Sequence, residues 1–196
     1  TCTARRTIIP LFNEQKSHQV DFAIHNSGGV RNSLNSGDVS VADIAGKLLP
    51  FAVPIGMYEV RGETIAAMLE GAINNALDNG VVGTGSGSFP YTHNLRFCYH
   101  KEAPIGHRIH HLEIHSEESG WQPVSRGRIY RGASSAYTMK GKEGYSAVLD
   151  MIGDGIVTTY SMADCFIAFL QDNPESLKYN EPLNCMECFR LSLIHI

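Results

Sequence analysis

Four residues with recognition chemistry fall within six positions, in "NSGGVR" at 26–31, which follows the apolar run "VDFAI" and His25. Arg31 offers a planar fork suited to a carboxylate or a phosphate. Gly28 and Gly29 let the backbone turn and let a ligand come close to it. Asn26, at the end of the apolar run, can offer an amide. A plain surface turn with a solvated Arg31 would use the same letters. A second stretch, "SSAYTMKGKEGYSAVL" at 134–149, sets Glu143 between two glycines, six residues after Tyr137. Such an acid can accept hydrogen bonds from a sugar diol, and such a ring can stack on a flat ligand. The alternative is a loop with Tyr145 packed in the core.

Other candidates are weaker. "GTGSGS" at 83–88 looks like a phosphate cradle, but neither Lys-Ser/Thr nor a helix follows, as a phosphate loop requires. It reads as a loop beside a ligand or as a connector. In "RIHHLEIH", strand alternation would put His111, Glu113 and His115 on one face, a donor set that can hold zinc. His107 and His110 nearby favour a polar exposed face instead, and no metal site is assigned. Cys185 and Cys188, in "CMEC", are half a zinc ribbon, a local disulfide or inert thiols, while Cys165 reads as core.

The elements that must position these residues follow from periodicity. "QVDFAIHN" reads as a buried strand ending at Asn26, followed by a turn at Ser27–Gly29. Ser40 with Asp43 three residues on begins a helix whose face is Ile44, Leu48 and Leu49, and Pro50 ends it. "PIGMYEVRG" at 54–62 reads as a strand. Ile65, Met68, Leu69, Ala72, Ile73 and Ala76 recur at helical spacing over about 15 residues. "FPYTHNLRF" and the overlapping "NLRFCYH", "RIHHLEIH" and "GRIYRGAS" read as strands. A last helix starts after Ser161, capped with Asp164, with Met162, Cys165, Phe166, Phe169 and Leu170 as its stripe. Strands and helices mix without regular alternation, so the class is α+β.

Composition sets bounds. At 196 residues with 43% hydrophobic and 18% charged residues, the chain suits one domain with a core. A net charge of −4 supplies no global basic field for nucleic acid. No run of about 18 apolar residues marks a membrane span. The chain opens "TCTARRTIIP", without Met, so the lack of a signal peptide is uninformative. Its end, "LSLIHI", resembles a translated sequencing adapter and is set aside.

In order, "NSGGVR", "GDVSVADIAGKLLPF", "VRGETIAAMLEGA", "GSGSFP" and "GKEGY" resemble the C-terminal domain of the 5'-nucleotidase family, over about Val20 to Asn173. The family includes periplasmic UDP-sugar hydrolases and NAD-degrading nucleotidases. The resemblance implies a layered α/β/β/α form of the α+β class. It implies a domain over 19–190, with 1–18 divergent or mis-assembled and 191–196 an adapter-derived tail. It further implies a nucleotide-recognition domain of a periplasmic or extracellular enzyme that hydrolyses nucleoside 5'-monophosphates, and UDP-sugars or NAD as further candidates. Phe51 and Tyr137 would sandwich the base, Glu143 would bind the ribose hydroxyls, Arg31 and Asn26 would lie near the substrate, with Gly28 and Gly29 in their turn, and Gly87 would lie beside the base. Two positions depart from the pattern. Glu143 stands where Asp is usual, and Val53 stands where many members carry an Asn that reads the base edge.

Family catalysis belongs to an N-terminal domain that holds two divalent metal ions. Its ligand signatures are absent from this sequence. The expectation is therefore a fragment that binds substrate, holds no cofactor itself, needs the metallophosphoesterase domain as partner and does not hydrolyse AMP alone. The alternative is a stand-alone nucleotide- or nucleoside-binding module.

Overall fold

The computed structural model describes residues 20–78 and 86–174. The expectations for "CMEC", for residues 1–18 and for the tail lie outside the described residues. Strand β1 (Phe22–Asn26) runs into a 3-10 turn (Ser27–Gly29). Helix α1 (Val41–Asp43) continues as a π-helical turn (Ile44–Leu48), then come β2 (Pro54–Arg61) and α2 (Gly62–Asp78). Strands β3 (Pro90–His93), β4 (Leu95–Tyr99), β5 (Ile109–Ser116), β6 (Gly120–Pro123) and β7 (Ile129–Ser135) follow. The single turn α3 (Ala136–Met139), strand β8 (Ile152–Ser161) and helix α4 (Met162–Asp172) complete the order.

Five strands form one sheet in the order β3-β1-β7-β2-β8, and β4-β5-β6 form a second. In the larger sheet β1 and β7 are parallel and the other neighbours antiparallel. Alternation sorts its side chains onto two faces. Phe22, Ile24, Tyr58, Val60 and Tyr130 join Ile65, Met68, Leu69, Ala72 and Ile73 of α2 and Leu95 and Ile114 of the small sheet in the main core. Ala23, Ile55, Met57 and Ala133 point the other way, onto Cys165 of α4. The layered α+β class is as expected, and Cys165 and Tyr145 are core, each 1% exposed.

Both capping boxes form. Ser40 and Asp43 cap each other's backbone at α1, and Ser161 and Asp164 do so at α4. Lys47, then Ser40, hold the Asp43 carboxyl well below the usual carboxylate range.

Two strand expectations are corrected. "FPYTHNLRF" is not one strand. Asn94 adopts φ 58, and its amide donates to the Asp21 and His115 carbonyls at 3.2 and 3.0 Å, so β3 and β4 part into different sheets. The alternation of His111, Glu113 and His115 breaks because His111 takes φ 50 and the β4–β5 register shifts between Arg96 and Cys98. Glu113 turns to Arg96 at 2.5 Å, and His115 meets Trp121 edge-on at 5.1 Å. Strands β6 and β8 were not expected. β8 carries Gly153 and Gly155 at positive φ and lacks a clean alternation, which hides it.

Candidate functional site

The larger sheet ends in a cavity of about 360 Å³, within the ordinary range for small-molecule sites. It is built from four connections: the turn after β1, the segment between the π-helical turn and β2, the end of β7 running into α3, and the turn carrying Glu143. Its lining includes Asn26, Gly28, Gly29, Arg31, Phe51, Tyr137 and Glu143. The sequence thus brings seven of its eight candidates to one place.

Asn26 and Gly28 are held from behind. The Asn26 amide donates to the Gly87 carbonyl at 3.0 Å, and the Ser27 hydroxyl donates to the Ser86 carbonyl at 2.5 Å. Gly28 and Gly87 pack backbone against backbone, so that a Cβ on Gly28 would meet the Gly87 Cα at 3.1 Å. Gly87, the eighth candidate, packs against Gly28 and is absent from the lining.

Arg31 is exposed where it lines the cavity. One of its guanidinium nitrogens lies 3.4 Å from the Gly28 carbonyl, and its Cζ lies 5.9 Å from the Phe51 ring centroid. No carboxylate among the described residues pairs with it. Phe51 and Tyr137 are 51% and 43% exposed, unusual for large rings, and both line this cavity.

Glu143 sits at φ 57, in the left-handed region. Tyr137 Oη donates to its Oε1 at 3.1 Å, and Ser88 Oγ donates to its Oε2 at 2.8 Å. Burial and then the Glu143 carboxylate push the Tyr137 hydroxyl pKa upward, so the phenol stays a donor. The Glu143 turn is docked on α2, where Gly71 and Gly144 touch through their backbones.

The floor holds a residue the sequence reading passed over. His25 is buried, and neither ring nitrogen has a hydrogen-bond partner among the described residues. Burial pushes its pKa down to about 4, so the imidazole is neutral near pH 7. Its ring lies under Gly29, where a Cβ would come within 2.6 Å of Cε1. That close approach requires glycine at position 29.

The family model described as 5'-nucleotidase, C-terminal domain, matches residues 4–150.

The chain belongs to the 5'-nucleotidase family, as its C-terminal domain.

The match begins inside residues 1–18, the segment the sequence reading set apart. A NAD 5'-nucleotidase of Haemophilus influenzae is 31% identical over 175 residues, covering 86% of this chain and 28% of the relative. A probable 5'-nucleotidase of Treponema pallidum is 30% identical over 166 residues, covering 83% and 27%. The chain therefore spans under a third of the length of these relatives. The solved NAD nucleotidase of Haemophilus influenzae superposes with a TM-score of 0.72 at 29% identity, over 88% of this chain and 30% of that one. A 5'-nucleotidase precursor of Thermus thermophilus gives 0.74 at 22% identity, over 87% and 32%, a likeness of fold.

Within this 5'-nucleotidase domain the lining also includes His25, Leu49, Val53, Ser135 and Met162. Leu49 and Met162 were legible only as helix-face residues, and Ser135 carried no signal. His25 did carry one, as a polar side chain inside a buried apolar strand. Among the described residues no three His, Cys, Asp or Glu come together to hold a metal ion, so these residues do not fit a metal centre.

Proposed function

We propose that this domain recognises the nucleotide for a secreted 5'-nucleotidase whose phosphoryl chemistry is carried out by a separate dimetal domain. One observation carries the proposal. Two exposed aromatic rings, an arginine unpaired with acid and a doubly hydrogen-bonded carboxylate line a single cavity. The three kinds of group suit the three parts of a nucleotide. Flat rings stack on a base, which contributes about 1–3 kcal/mol per base. An anchored carboxylate accepts from the ribose hydroxyls. A guanidinium fork binds phosphate oxygens. Val53 offers the base edge no hydrogen bond, which favours a site tolerant of several bases.

The substrates proposed are nucleoside 5'-monophosphates, with NAD and UDP-sugars as further candidates that present the same nucleoside. The proposed location is periplasmic or extracellular. Among the described residues no helix is long and apolar enough to cross a membrane.

The test is AMP titrated onto the full chain in a chelator, by calorimetry. Binding is expected, and Arg31→Ala should weaken it roughly ten- to a hundred-fold, as for a lost hydrogen bond to a charged group. No phosphate should be released from AMP by this chain with any divalent metal. No binding of AMP, or unchanged affinity in the variant, would overturn the proposal.

A further inference from the structure

The Ser88 side chain is fully buried, 0% exposed, and makes no contact with the cavity itself. Its hydroxyl sits in a relay that leaves no freedom of direction. The Asn75 amide, on the last turns of α2, donates to Ser88 Oγ. The Ser88 proton must then point away, and it points to Glu143 Oε2 at 2.8 Å. Tyr145 Oη fixes the same residue's backbone, donating to the Ser88 carbonyl at 2.9 Å. On the other side Tyr137 Oη holds Glu143 Oε1 at 3.1 Å. Each carboxylate oxygen thus carries one protein donor and keeps acceptor capacity for one more hydrogen.

We infer that Ser88 is a positioning residue that sets the selectivity of this site for vicinal diols, acting through Glu143. The inference rests on the proposal that Glu143 meets the ribose hydroxyls. Two adjacent hydroxyls need two acceptor oxygens in one fixed plane, because hydrogen bonds weaken steeply off axis. Glu has one more rotatable bond than Asp, and a free Glu side chain loses more rotamer freedom when a ligand orders it. The relay from α2 orders it beforehand. Ligands without the diol gain nothing from that ordering, so Ser88 separates ribonucleosides from nucleosides lacking the 2' and 3' hydroxyls.

The experiment compares adenosine with 2',3'-dideoxyadenosine by calorimetry on the full 196-residue chain. Three proteins are used: native, Ser88→Ala and Ser88→Cys. The thiol nearly preserves the shape of serine while being a weak donor, so it reads the same effect if the alanine variant does not fold. The native chain should prefer adenosine by roughly tenfold or more, the value of a hydrogen bond to a charged group. Both variants should lose most of that preference through weaker adenosine binding, with dideoxyadenosine affinity held within about twofold. A preference unchanged in either folded variant would overturn the inference, as would an equal loss of both ligands. Equal affinity of the native chain for the two nucleosides would instead overturn the reading of Glu143, and this inference with it.

Discussion

The two walls of the cavity are held in opposite ways. The wall carrying Glu143 is pinned: Ser88 and Tyr145 are 0% and 1% exposed, and Gly71 meets Gly144 through the backbone. The wall carrying Arg31 and Phe51 is presented. Phe51 is 51% exposed, and its segment leans on Ile44 and Leu49, which pack against Phe169 and Leu170 of α4. The difference follows the chemistry each wall offers. Hydrogen bonds to a diol depend on direction and need a fixed frame. Stacking depends on area and tolerates a displaced ring.

The largest effect should come from breaking the pinned wall. Gly144 has φ 82, and a Cβ there would fall 2.8 Å from Asn75 Cβ. Gly144→Ala should therefore cost about 2–4 kcal/mol, combining left-handed strain with overpacking. Gly46, in the π-helical turn behind the other wall, has open space where its Cβ would go. Gly46→Ala should be neutral or gain a few tenths of a kcal/mol, about what helix propensity allows. Urea unfolding of both variants checks this, and equal destabilisation would erase the contrast between the walls.

His25 lies under Gly29 in the cavity lining and makes stability depend on pH. Its folded pKa of about 4 is below the unfolded value of 6.5. The unfolded chain therefore binds the proton first as pH falls. The stability contributed by neutral His25 is complete above pH 6.5 and lost as pH falls towards about 4, by up to about 3 kcal/mol. Unfolding free energies at pH 7 and pH 4 should show that loss in the native chain and a smaller one in His25→Leu. Equal losses would show that His25 is not the titrating group.

A smaller effect should sharpen the account of the presented wall. Ser161 caps α4, its Oγ accepting from the Asp164 amide at 3.2 Å, and the next residue, Met162, lines the cavity. Ser161→Ala should lower stability by about 1 kcal/mol in thermal unfolding. Adenosine affinity should change by less than about twofold, since stacking tolerates small shifts. A larger fall in affinity would mean that this wall, too, is tightly positioned.

Much of the frame was legible because local chemistry and tertiary packing agree there. Both capping boxes, the α2 stripe and the all-buried β1 could be read from spacing. Six of the seven lining candidates sit at the end of an element or on the connection after it, and Tyr137 lies in the single turn that follows β7. What escaped depends on partners distant in sequence. The split at Asn94 is set by the carbonyls of Asp21 and His115, neither visible as a local signal. β8 is a strand by virtue of pairing with β2, with bulges that erase its pattern. The packing of Gly87 against Gly28 joins residues 59 apart. The Asn75–Ser88–Glu143 relay joins three elements, and only assembly reveals it.

The central claim is that Phe51 and Tyr137 together hold a nucleobase. Its most direct test is adenosine titrated by calorimetry onto the native chain and onto a Phe51→Ala, Tyr137→Ala double variant. Two stacking contacts at about 1–3 kcal/mol each should make the variant at least roughly thirtyfold weaker. Both proteins should unfold at similar temperatures, because each residue is about half exposed and neither belongs to a buried core cluster. Equal adenosine affinity in the two would contradict the account.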